Sequence, residues 1–140
     1  MTSPFAIVTG TSAGIGEAVA RALLASDWDV VGIARRPSAL EHPGYRHVTF
    51  DLSRIVDDAA GLEQTLAPLL GQQGQRRIGL VNNAAAAEGL MPVANLEPSM
   101  LARTHAVNVI APKDDRCGSM ACCKKPASPS PMIASRARRS

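Results

Sequence analysis

Over the first 112 residues, apolar positions come as short unbroken runs that alternate with runs spaced three and four apart. Phe5-Ala6-Ile7-Val8-Thr9 is a continuous apolar, β-prone run that stops at Gly10, the pattern of a strand buried on both faces of a parallel sheet. After a glycine-rich turn, Ile15, Ala18, Val19, Ala22 and Leu23 recur at helical spacing, and the pattern lasts to about Ala25. Asp29 to Ala34 predicts a second strand and His47 to Leu52 a third, with Pro37 to Gly44 looping between them. Ser53 is placed to cap a helix beginning near Ile55. Asp57 and Asp58 suit its first turns, and Leu62, Leu66, Leu69 and Leu70 form one stripe. Pro68 predicts an early stop or a kink. Ile78 to Asn83 predicts a fourth strand, and Glu97 to Val109 a further helix with Pro98 in its first turn. Strands and helices alternating in this way predict an α/β fold, a doubly wound parallel sheet in the order 3-2-1-4 that is truncated after about four strands. Leu80 and Val81 would then border an unpaired apolar edge, so the chain is expected to be marginally stable and prone to aggregate.

The pattern ends at Pro112. Residues 113–140 carry seven of the Lys and Arg residues against Asp114 and Asp115, which leaves the preceding residues net negative although the chain of 140 residues totals +3. All three cysteines (Cys117, Cys122, Cys123) lie after Pro112, and all four aromatic residues (Phe5, Trp28, Tyr45, Phe50) before it. Two domains of composition follow: 1–112, the partial α/β unit, and 113–140, a disordered basic tail. The change in mid-domain is what translation in a shifted reading frame would produce. No second CxxC knuckle accompanies the cysteines, so no metal site is expected. A basic arm through Lys124, Lys125, Arg136, Arg138 and Arg139 lacks the aromatic residues that stack on bases, so no nucleic acid partner is expected either. The apolar runs are too short to span a membrane, and the N-terminus has no basic leader. The default expectation is a cytoplasmic protein with no membrane partner.

Candidate chemistry centres on Thr9-Gly10-Thr11-Ser12-Ala13-Gly14-Ile15-Gly16, between the first strand and the first helix. Small residues let the backbone turn sharply and approach a diphosphate, and the helix N-terminus offers free N–H groups and the positive end of its dipole. An ordinary glycine-rich turn is the alternative. The segment resembles the TGxxxGIG cofactor motif of the short-chain dehydrogenases/reductases. Three further stretches resemble that family in the same order: Asp51-Leu52 after the third strand, Asn82-Asn83-Ala84-Ala85 (NNAG in the family) after the fourth, and Asn108 in Val107-Asn108-Val109. The glycine loop is also similar to that of the sepiapterin-reductase and benzil-reductase branch.

This resemblance implies a Rossmann-like NAD(P)-binding domain over about the first 112 residues. Its cofactor-binding residues are Gly10, Thr11, Ser12, Gly14, Ile15, Gly16, Arg35, Arg36, Asp51, Leu52, Asn83, Ala84 and Ala85, and Asn108 is carried over as a catalytic residue. Asp51, Asn82 and Asn83 also suit plain turns, and Asn108 an exposed helix position. At the end of the second strand, Ala34-Arg35-Arg36 offers two guanidiniums and no carboxylate, which favours NADP(H) over NAD(H); two solvated surface arginines are the alternative. The family's activity is hydride exchange with small carbonyl or alcohol substrates. It needs a serine and a Tyr-x-x-x-Lys pair. The one tyrosine, Tyr45, is followed four residues later by Thr49, and the lysines Lys113, Lys124 and Lys125 all lie in the tail. An inactive relative of the oxidoreductases is therefore expected. Two other readings stand beside it, a non-catalytic nucleotide-binding module and an interaction protein working through its tail. Self-association into a homo-oligomer stays open.

Overall fold

The computed structural model describes residues 3–71, 76–87 and 91–112; the segment 113–140, read from sequence as a disordered tail, lies outside them. Four strands, β1 (Phe5–Thr9), β2 (Asp29–Ala34), β3 (Tyr45–Thr49) and β4 (Ile78–Val81), form one parallel sheet in the order β3-β2-β1-β4. Every residue of β1 is buried, as are the last five of β2. This is the burial expected of central strands covered on both faces.

Side chains alternate across the sheet. Val8 and Val30 face helix α1 (Gly14–Ala25) and pack with Ala20 and Leu24. Phe5, Ile7, Val31 and Ile33 face the other way, onto Leu62, Leu66 and Leu70 of helix α2 (Ile55–Gly71), with Ala106 and Ala111 beyond. Helix α3 (Pro98–His105) has its proline in the first turn and runs on into a wider π turn over Ala106–Ile110.

The boundaries differ from the expectation in instructive ways. In α1 the buried face is Gly16, Ala20 and Leu24, with Val19 and Leu23 partly covered, while Ile15, Ala18 and Ala22 are exposed. The stripe is rotated by about one residue because Gly16 must lie against the Gly10 backbone. Helix α2 does not stop at Pro68; its irregular dihedrals fall at Asp58 (φ −137°, ψ 33°). A proline inside a helix costs about 3 kcal/mol, whereas each buried leucine contributes about 1.5–3 kcal/mol. Burial of Leu66 and Leu70 on either side of Pro68 therefore outweighs the lost hydrogen bond.

Strand β3 starts and ends earlier than the sequence pattern predicted. The Val30 N–H donates to the Gly44 carbonyl at 2.8 Å, which brings Tyr45 into register, and Asp51 then turns the chain out of the sheet. The capping residue is Asp51 rather than Ser53: its Oδ1 accepts from Ser53 N at 3.0 Å and from Ser53 Oγ at 2.8 Å, closing a 3-10 turn over Leu52–Arg54. Likewise β4 ends at Val81, because the backbone N–H groups of Asn83 and Ala84 both donate to the Thr9 side chain, each at 3.0 Å. β4 is the outer strand on its side of the sheet among the described residues.

Candidate functional site

The C-terminal ends of β1, β2 and β4 open onto a cleft of about 620 Å³. In doubly wound sheets this end, where the chain order reverses between neighbouring strands, is where ligands bind. Here β1 leads to α1 on one side while β4 leads toward α3 on the other, and the cleft lies between them.

The glycine loop forms its floor. Gly10 (φ +77°) and Gly14 (φ +66°) hold left-handed backbone conformations that other residues rarely adopt. Gly10 also lies close under its neighbour: a Cβ there would sit 2.8 Å from Asn83 Nδ2 and 3.0 Å from Ala84 Cα. The residue before α1, Ala13, is extended and offers no side-chain cap, so no side chain of its own competes for the first amides of the helix. Those amides and the helix dipole are the chemistry that holds an anionic group.

Opposite the loop, Arg35 and Arg36 follow β2, both exposed and neither in an ion pair or hydrogen bond with another described residue. Asp51 lies nearby. Burial raises its carboxyl, but the two hydrogen bonds from Ser53 and the guanidiniums of Arg35 and Arg103 outweigh that and hold it below the usual aspartate value. The stability this carboxylate adds is thus complete above the ordinary aspartate range and is lost as pH falls through the lowered value. Asp51→Asn should therefore unfold at lower denaturant than the parent at neutral pH. The gap should close on acidification only below the usual aspartate range, as read by urea melts at a series of pH values; a gap independent of pH would contradict it.

Of the residues selected from sequence, Gly10, Ser12, Ile15, Arg35, Arg36, Asp51, Leu52, Asn83, Ala84 and Ala85 line the cleft. Thr11, Gly14, Gly16 and Asn108 are not among the lining residues. Thr11 is fully buried behind the loop, and Gly16 packs against Gly10. Asn108, within the π turn, has both ends of its amide engaged by one residue: Oδ1 accepts from Ala86 N and Nδ2 donates to Ala86 O, each at 2.9 Å. Its geometry holds the segment after β4 in place. Asn83 holds the other end of that segment, donating from Nδ2 to the Thr9 carbonyl at 3.1 Å.

Sequence reasoning missed Arg103 and Phe50, which also line the cleft. Arg103 is exposed on α3, five residues before Asn108, and no pattern in the sequence singles it out. Among the described residues no cluster of His, Cys, Asp and Glu fits a metal ion, and no helix is long and apolar enough to cross a membrane.

Residues 4–113 match the model of the family described as short chain dehydrogenase. Serine 3-dehydrogenase of Agrobacterium fabrum is 34% identical over 93 residues, covering 61% of this chain and 35% of that protein. The benzil reductase ((S)-benzoin forming) of Bacillus cereus is 28% identical over 115 residues, covering 77% of this chain and 46% of that protein. The chain thus spans less than half the length of either relative. A short-chain dehydrogenase/reductase from Burkholderia vietnamiensis superposes with a TM-score of 0.72 at 29% identity, over 84% of this chain and 56% of that one.

Proposed function

Because the chain belongs to the short chain dehydrogenase family, we propose that its cleft binds NADP(H), and that residues 1–140 alone do so without turnover. The observation that carries the reading is the pairing of an uncapped helix start at Ala13-Gly14 with two exposed guanidiniums across the cleft, Arg35 and Arg36, neither in a hydrogen bond or ion pair with another described residue. The amides at the start of α1 hold the diphosphate. Arg35 and Arg36 take the 2′-phosphate, to which a guanidinium donates in bidentate fashion. Asp51, kept ionised at neutral pH, accepts from the adenine end, and Phe50 and Leu52 supply the apolar wall beside it. Asn83 and Asn108 are positioning residues: they fix the two ends of the segment 83–86 that forms the opposite wall.

When bound, the nicotinamide supplies a hydride. Exchanging it with a small carbonyl or alcohol also requires a proton donor at the substrate oxygen. The one tyrosine of the sequence is engaged on the far side of the glycine loop, with its hydroxyl on Thr11, so no phenol among the described residues serves the cleft. Titration of the purified chain with NADPH, followed by nicotinamide fluorescence, should give saturable binding. A parallel assay with small aldehydes and ketones should show no carbonyl-dependent NADPH oxidation. Absence of saturation would overturn the binding site, and carbonyl-dependent oxidation would overturn the claim that the chain does not turn over.

A further inference from the structure

We infer that Tyr45 is a positioning residue for the cofactor's diphosphate, holding the glycine loop through Thr11 while His47 orients its hydroxyl. This rests on the NADP(H) reading above. On the β4 side the loop is tied by Asn83 to the backbone of Thr9. On the β2 side it is tied by the Gly10 N–H, which donates to the Ile33 carbonyl at 2.7 Å. One residue further on, Thr11 is fully buried and so does not touch a ligand; its hydroxyl meets the Tyr45 hydroxyl at 3.0 Å. Ser38 adds a second tie at the same point, its Oγ donating to the Thr11 carbonyl at 3.1 Å.

The reach of Tyr45 is unusual. It begins β3, two strands away from β1, and its phenol crosses β2 to arrive under the loop. The crossing is possible because residue 32 is glycine: a Cβ there would overlap both the Tyr45 hydroxyl and Thr11 Oγ1. Glycine in the interior of a strand marks such a close approach. His47 is the register partner of Gly32, on the same face of β3 as Tyr45, and its Nδ1 lies 3.2 Å from the phenol oxygen. Its other nitrogen, Nε2, is buried with no hydrogen-bond partner among the described residues. The half-buried imidazole thus makes its one hydrogen bond through the nitrogen that faces Tyr45, where it orients that hydroxyl. The result is a chain, His47 to Tyr45 to Thr11, ending on the backbone between Gly10 and Ser12, both of which line the cleft.

The test separates the diphosphate from the rest of the cofactor. Tyr45→Phe and Thr11→Val each remove one hydroxyl at nearly constant shape. Each should raise the Kd for NADPH roughly fivefold to tenfold, the size of one net hydrogen bond. The double variant should be no worse than either single one, since both break the same link. Adenosine 2′-phosphate, which has no diphosphate, should bind all three variants within about twofold of the parent, whereas general loosening of the fold would weaken both ligands alike. Thr11→Ser keeps the hydroxyl and should bind NADPH like the parent; if Tyr45→Phe does not fold, the contrast between Thr11→Val and Thr11→Ser decides. Additive losses, equal losses for the two ligands, or unchanged NADPH affinity would overturn the inference alone. Failure of the parent chain itself to bind NADPH would overturn the nucleotide reading and this inference with it.

Discussion

Alanine at position 16 should abolish measurable NADPH binding, weakening it on the order of 100-fold or more, which corresponds to about 2.7 kcal/mol. The single methyl group has nowhere to go: a Cβ on Gly16 would overlap the Gly10 carbonyl oxygen and Asn83 Nδ2. The first of these is backbone and cannot rotate away. To accept the methyl, α1 must back off from the loop, and the amides at its start move with it. Ordinary helix propensity would favour this substitution by about 1 kcal/mol, so a loss of binding cannot be laid to the helix itself. Gly14→Ala is the informative comparison. Its Cβ would meet nothing within 4 Å, and its only penalty is the left-handed φ of +66°. That costs roughly 1–2 kcal/mol, shared between stability and binding. A calorimetric titration should therefore rank the parent above Gly14→Ala and Gly14→Ala well above Gly16→Ala; equal affinities would mean that the loop does not hold the ligand.

The second large effect concerns the guanidinium pair. Removing Arg35 and Arg36 together, as Arg35→Ala with Arg36→Ala, should weaken NADPH by about 100-fold and leave NADH within about threefold. Hydrogen bonds to charged groups contribute about 1.5–3 kcal/mol each, and only the 2′-phosphate distinguishes the two dinucleotides. Both side chains are exposed and make no ion pair or hydrogen bond with another described residue, so the melting temperature should stay within a few degrees. The Asp51 carboxyl should also titrate higher in the variant, because Arg35 is one of the charges that lower it. An equal loss for NADPH and NADH would place the arginines on some other part of the cofactor.

Much of this was legible in the residues themselves. The unbroken apolar runs of β1 and β2 gave the parallel sheet, because strands covered on both faces need no polar positions. The spacing of Gly10, Gly14 and Gly16 gave the loop, because backbone constraints leave a mark in sequence that tertiary contacts do not have to explain. Ten of the thirteen residues that the sequence nominates for cofactor binding line the cleft, which is their placement and not their role. Of the remaining three, Thr11 is buried and Gly16 packs against Gly10 behind the loop, while exposed Gly14 supplies a left-handed turn, a distinction that a motif does not encode.

What stayed hidden depends on partners far along the chain. Ile15 read as a member of the buried stripe, since hydrophobicity alone cannot tell which way a helix is rotated; the contact of Gly16 with Gly10 decides it. Pro68 signals an early stop or a kink, because the local rule ignores the leucines on either side; the helix runs on and its irregular dihedrals fall at Asp58. In the sequence, Asp51 suits either a turn former or a ligand. It is the cap of its turn and it also lines the cleft, so one carboxylate serves both. In the sequence, Tyr45 stands out for having Thr49 rather than a lysine four residues on. Its hydrogen bonds join positions 34 and two residues apart, to Thr11 and His47, and only the sheet brings the first of these within reach.

Whether the dinucleotide sits at the start of α1 is tested most directly by a structure of the chain bound to NADP+. It should show the diphosphate oxygens within hydrogen-bond distance of backbone N–H groups in the segment from Ser12 to Gly16, with the 2′-phosphate against Arg35 and Arg36. A dinucleotide seated elsewhere on the protein, or a diphosphate that leaves those amides to solvent, would contradict it.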